Sequence, residues 1–148
     1  MQELRLYTPI LFLLASQLAF AGGLLSNDYV RLVVQPPSTA VRPGSSAVVE
    51  LHFTPVDGIH INIDPPVQFA LDSATAITLT GKPAMTKDPD TGYLSTTTPV
   101  RQTIVLGKNT RAGKLSVKGT VTYFFCSESE GWCNRQKQPV EFTIFVKP

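Results

Sequence analysis

The sequence predicts an all-β domain, an antiparallel sandwich of about seven to nine short strands. Three observations carry this. Thr, Val and Ile supply 37 of 148 residues, the types that suit a pleated, half-buried surface. Beyond residue 25, no dozen-residue stretch spaces its apolar positions by three and four, whereas strict alternation recurs. Pro and Gly, 12 and 10 in number, fall between the alternating runs.

Candidate strands begin at 28–35. Ala47, Val49, Leu51 and Phe53 then face one way, against Val48, Glu50, His52 and Thr54. Ile59, Ile61 and Ile63 alternate with His60 and Asn62, and shorter candidates follow at 67–71 and 75–80. Val100, Gln102, Ile104 and Leu106 form the next inward set. Leu115, Val117, Gly119, Val121, Tyr123 and Phe125 form the longest, and Val140, Phe142, Ile144 and Val146 the last. Turn chemistry separates them at Pro36-Pro37-Ser38, Pro43-Gly44, Asp57-Gly58, Asp64-Pro65-Pro66, Gly81-Lys82-Pro83, Asp88-Pro89-Asp90-Thr91-Gly92, Gly107-Lys108-Asn109 and Gly113. Short strands at this spacing point to an immunoglobulin-like sandwich.

Residues 1–21 read as an export signal, leaving 22–148 as one domain. Arg5 and the amino terminus precede an apolar stretch that holds Ile10 to Leu14, and Ala19-Phe20-Ala21 offers small residues where a signal peptidase reads. Cleavage is the expectation, an uncleaved anchor the alternative. The expected location is therefore periplasmic or secreted, where disulfides persist. A net charge of +2 without a basic run gives no nucleic-acid footprint.

The two cysteines can pair in only one way. Cys126 ends the longest run and Cys133 opens the approach to the last, with Gly131 placed to supply a positive-φ turn. This puts both sulfurs at the mouth of a β-hairpin, too close in sequence to pin two sheets together. Closing so short a loop stabilises a fold by about 2.5 kcal/mol on the chain-entropy formula. Two roles stay open: an exchangeable pair passing electrons by thiol–disulfide exchange, or an inert staple in a non-catalytic binding or accessory module. Phe124 and Trp132 are candidates for docking a partner, while Tyr123 and Phe125 share the parity of the core. Glu128 and Glu130 disfavour a thiolate and Arg135 and Lys137 favour one. Cys126, fixed by a long strand, is expected to hold the mixed disulfide, and Cys133, after Gly131-Trp132, to resolve it.

The segment Tyr123-Phe124-Phe125-Cys126 through Gly131-Trp132-Cys133, with its alternating final strand, resembles the end of the N-terminal domain of the DsbD thiol:disulfide interchange proteins. Gly58-Ile59-His60-Ile61-Asn62 before Pro65-Pro66 resembles that family's glycine–aromatic–histidine strand, with Ile59 in the aromatic's place. The resemblance implies an immunoglobulin-like periplasmic domain, here standing alone, whose catalytic residues are Cys126 and Cys133. It implies a cap over them from Lys87 to Leu94, with Asp90 and Tyr93 as shielding residues. The implied partners are thioredoxin-like or other periplasmic thiol proteins, with a separate membrane electron conduit.

No cofactor is implied. Six residues between the cysteines is not the spacing of a zinc knuckle, and His52 and His60 stand on strands among Thr and Asn. Copper(I) handling would call for several methionines beyond Met85. Neither a nucleophile elbow nor a phosphate-cradling glycine loop is present.

Overall fold

The computed structural model describes residues 27–72 and 76–148. The predicted export signal lies outside them, and among the described residues no helix is long and apolar enough to cross a membrane. Eight strands follow one another: β1 (Val30–Gln35), β2 (Ser46–Pro55), β3 (Ile59–Ile61), β4 (Gln68–Leu71), β5 (Ile77–Ala84), β6 (Val100–Leu106), β7 (Gly113–Ser127) and β8 (Trp132–Val146). All pair antiparallel. One sheet runs β1-β2-β6-β5; in the other, β3, β4 and β8 all pair with β7.

The alternation read from sequence is what closes the sandwich. Val49, Leu51 and Phe53 of β2 and Val100, Ile104 and Leu106 of β6 are buried. They share one core with Val117, Val121, Tyr123 and Phe125 of β7 and Phe142 and Ile144 of β8. Gln102 holds an inward position at 1% exposure. Its Nε2 donates to the carbonyls of Thr80, Gly81 and Thr103, so the buried amide nitrogen is satisfied.

Two elements differ from expectation. Gly81-Lys82-Pro83, read as a turn, lies inside β5, whose pairing with β6 shifts register between Thr80 and Ala84. β5 is an edge strand, where proline's missing donor is tolerated, and Gly81 at φ 71° accommodates the bulge. The last strand begins at Trp132 rather than near Val140 and carries Pro139 in its middle. It too is an edge strand of its sheet.

Tyr123 ties the amino-terminal end of the domain to the second sheet. Its ring packs edge-on to Phe53 at 5.1 Å. Its hydroxyl accepts from Asn27 Nδ2 (2.9 Å) and donates to Gln138 Oε1 (3.0 Å). Asn27 Oδ1 in turn accepts the N–H groups of Tyr29 and Val30, fixing the entry to β1.

Burial pushes the Tyr123 phenol up to about 12. The unfolded chain ionises near pH 10, so stability present below pH 10 is lost as pH rises through about 12. Tyr123→Phe is expected to cost about 1–3 kcal/mol at neutral pH, because Gln138 and Asn27 lose their buried partner. It should also flatten the alkaline decline. Chemical denaturation at pH 7 and across pH 9–12 checks both.

Gly119 makes room for a close crossing: a Cβ there would stand 2.5 Å from the Ala70 carbonyl oxygen. Gly119→Ala is expected to destabilise by about 1–3 kcal/mol through overpacking against backbone that cannot yield. Thermal melting measures it, and an unchanged midpoint would contradict this packing.

Candidate functional site

Hydrogen-bond phase along β7 decides how the cysteines meet. In an antiparallel strand each residue directs its N–H and C=O to one side, and successive residues alternate. Asn62 N–H donates to Phe124 O and Asp72 N–H to Lys118 O, so even-numbered β7 residues bond towards β3 and β4. Odd-numbered ones bond to β8. Cys126 and Cys133 therefore face each other as a non-hydrogen-bonded pair, the arrangement in which opposed side chains come closest. Their Cα atoms are 4.0 Å apart and the sulfurs are bonded at 2.04 Å. Residues 128–131 turn the chain, with Gly131 at φ 71° donating its N–H to Ser127 O at 2.9 Å.

The disulfide lies on the outer face of its sheet. Tyr123 and Phe125 point into the core, so Cys126 between Phe125 and Ser127 points away from it. Cys126 is nevertheless only 7% exposed, whereas Cys133 is open to solvent. β3 and the residue after it lie alongside Cys126, and the loop that follows β5 packs on β3. His60 stands opposite Cys126 across the β3–β7 pairing. Asn62 places Oδ1 3.3 Å from the Cys126 sulfur.

Tyr93 stacks on His60 with ring centroids 4.7 Å apart and planes 15° from parallel. Its hydroxyl donates to Glu128 in the hairpin turn, and this bond raises the phenol above its usual value. The loop bearing Tyr93 is a small hairpin, bridged at Lys87 and Leu94, with Ser95 N–H on Thr86 O at 2.9 Å. Leu94 anchors it: the side chain is buried in the core and the N–H donates to Ile61 O at 2.8 Å. At the tip, the Asp88 carboxylate accepts from the N–H groups of Thr91 and Asp90, which holds it below the ordinary carboxylate value.

Of the residues proposed from sequence, Cys126, Cys133 and Tyr93 come together around this corner. Asp90 stays at the exposed loop tip, its N–H bonded to Asp88. Phe124 and Trp132 lie on opposite faces of the sheet. Phe124 is on the disulfide's face with the Arg135 guanidinium 5.9 Å from its ring centre. Trp132 turns to the other face, edge-on to Tyr29 at 5.0 Å and Phe125 at 5.9 Å, and its Nε1 donates to Glu130. They do not form one docking patch.

Asn62 and His60 were absent from the sequence-derived site. Their outward parity against Ile59 and Ile61 was legible, but the pairing of β3 with the cysteine end of β7 was not. His52 lies on the other sheet beside Glu50, and among the described residues no cluster of three or more His, Cys, Asp or Glu could hold a metal ion.

The fold and this corner define a β-sandwich carrying a cross-strand disulfide with one covered and one open sulfur. A scan against protein-family models finds no match, and a search of curated proteins finds none either.

Tyr93→Ala removes a ring stack and a hydrogen bond, each worth about 1 kcal/mol, which together correspond to roughly a thirtyfold gain in access to Cys126. In Cys133→Ala, whose Cys126 thiol is free, alkylation by iodoacetamide is expected to accelerate by about that factor when Tyr93→Ala is added, while Asp90→Ala leaves the rate unchanged. Equal rates with and without Tyr93→Ala would remove Tyr93 from the cover.

Proposed function

We propose that this protein is an exported thiol–disulfide exchange module, passing electrons between thioredoxin-like or other thiol proteins through Cys126 and Cys133. One observation carries the reading: the two cysteines differ in exposure, Cys133 exposed on an edge strand and Cys126 buried. Thiol–disulfide exchange needs an attackable sulfur and a leaving sulfur, and this asymmetry supplies one of each. The position also supports it. The bond lies outside the core and bridges two strands already joined by a long ladder, so opening it costs little of the packing.

The exposure favours attack at Cys133, the reverse of the sequence expectation. A partner thiolate attacks the Cys133 sulfur; the Cys126–Cys133 bond breaks and Cys126 leaves with the electron pair. Oxidised, Cys126 has no proton to give Asn62. Once released it takes up a proton from solvent, and its S–H can donate to Asn62 Oδ1, keeping it a thiol. The partner's second thiolate then attacks its own sulfur of the mixed disulfide and frees Cys133. Two electrons and two protons have moved, leaving the partner oxidised and this protein reduced. The reverse sequence returns them. The resemblance to the DsbD N-terminal domain supports the same reading, with a separate membrane electron conduit as the source or sink.

The decisive measurement is the reduction potential of the disulfide. Exchange predicts a value above about −300 mV; a value below it makes the bond an inert staple in a binding module. Trapping assigns the sulfurs. Cys126→Ala is expected to form a mixed disulfide with a thioredoxin-like protein lacking its own resolving cysteine, and Cys133→Ala to form far less. Preferential trapping through Cys126 would restore the earlier assignment.

A further inference from the structure

The same phase that pairs the cysteines fixes what the outer edge of β8 presents. Even-numbered β8 residues bond to β7, so the N–H and C=O groups of the odd-numbered ones point off the sheet. Along that edge the far end is occupied: Val41 N–H donates to Phe145 O at 2.8 Å, and Lys147 N–H to Val41 O at 2.9 Å. The middle is blunted by Pro139, whose missing N–H falls on this side. From Cys133 to Lys137, among the described residues, nothing pairs with the edge. Cys133, Arg135 and Lys137 are all exposed, their backbone groups unpaired and their side chains on the disulfide's face.

Three observations converge on an occupant. Seen from Cys133, the direction opposite Cys126 leads off this edge, which is the line a thiolate must take to displace Cys126. In a hydrogen-bonded antiparallel pair, opposed Cα atoms lie about 5.5 Å apart, a spacing a disulfide favours. The side chains beside Cys133 are two cations, Arg135 and Lys137, neither in an ion pair among the described residues. A second copy of this strand with its own Cys133 opposite would set Gly131 and Ser129 against Arg135 and Lys137, offering neither cation an acidic partner.

We infer that the edge from Cys133 to Lys137 is the docking strand for the thiol partner, which adds to it as an extended antiparallel segment. The partner's cysteine lies opposite Cys133, with acidic residues two and four positions before it, opposite Arg135 and Lys137. This rests on the exchange reading for its purpose, but not for its test.

The test uses Cys126→Ala, whose Cys133 thiol is free whether or not the native disulfide exchanges. Its mixed-disulfide equilibrium with Glu-Thr-Glu-Thr-Cys and Lys-Thr-Lys-Thr-Cys peptides is measured against glutathione. The acidic peptide is expected to be favoured about tenfold over the basic one. Arg135→Glu with Lys137→Glu should invert that order. N-methylation of the acidic peptide at its cysteine and both glutamates, the amides facing β8, should abolish the preference, whereas methylation at the threonines should not. In the adduct, the amides of Cys133, Arg135 and Lys137 should become protected from hydrogen exchange. Equal equilibria for all peptides, or no protection of those amides, overturns the docking strand. Should Cys126→Ala fail to fold, the parent protein with a serine-ended acidic peptide in excess gives the same amide readout. A potential in the range of inert structural disulfides, with protection present, would sink exchange and leave the docking strand standing.

Discussion

The pairing of β7 with β8 joins fifteen residues of each strand and holds one phase from Gly113–Val146 to Ser127–Trp132. Its phase is fixed on the other side of β7 by Asn62 on Phe124 and Asp72 on Lys118, two bonds at opposite ends of that edge that agree. From this constraint follow the close approach of Cys126 and Cys133, the outward turn of Pro139's missing donor, and the attachment of Val41 near the end of β8. A shift of one residue would reverse every side chain of β8, placing Cys133 inside and Phe142 and Ile144 in solvent. The apolar residues of the core therefore enforce the geometry of the disulfide.

The core and the disulfide corner occupy opposite faces of the same sheet. Tyr123 and Gln138 bind each other within the sandwich, while Cys126 and Cys133 meet outside it. The disulfide and these inner contacts share no side chain, so opening the bond breaks none of them. The loop packed on His60, beside Cys126, is held by weaker contacts. Tyr93 on His60 and Glu128 is a stack and one hydrogen bond at the surface, held in position by Leu94 reaching the core. Such a loop opens at far less cost than a strand.

Charge around the pair is sorted by element. Glu128 and Glu130 sit in the turn, where each is engaged by an aromatic donor, Tyr93 and Trp132 respectively. Arg135 and Lys137 sit on the strand beyond Cys133 and face the open side. The carboxylates thus serve contacts within the molecule, and the cations are left for whatever approaches the exposed sulfur.

The sequence by itself determined the inward set of nearly every strand, most of the turns, and the single possible disulfide with its place in a hairpin. Those properties are local: a period of two is set by the chain, and Gly, Pro and Asp mark where it must bend. It also showed that Cys126 has the opposite parity to Tyr123 and Phe125. The run through Gly81-Lys82-Pro83 was misread because proline's penalty depends on which side of the strand lacks a neighbour, and only the sheet order shows that β5 is an edge. Trp132 looked like a surface anchor because loop and strand cannot be told apart one residue from a turn; pairing with Ser127 turns it inward. His60 stands opposite Cys126 and Asn62 reaches its sulfur across more than sixty residues of chain, through a three-residue strand whose partner no local pattern names. The unequal exposure of the two cysteines is of the same kind. It comes from which strands stand on either side of the hairpin, and that is decided only when the sandwich closes.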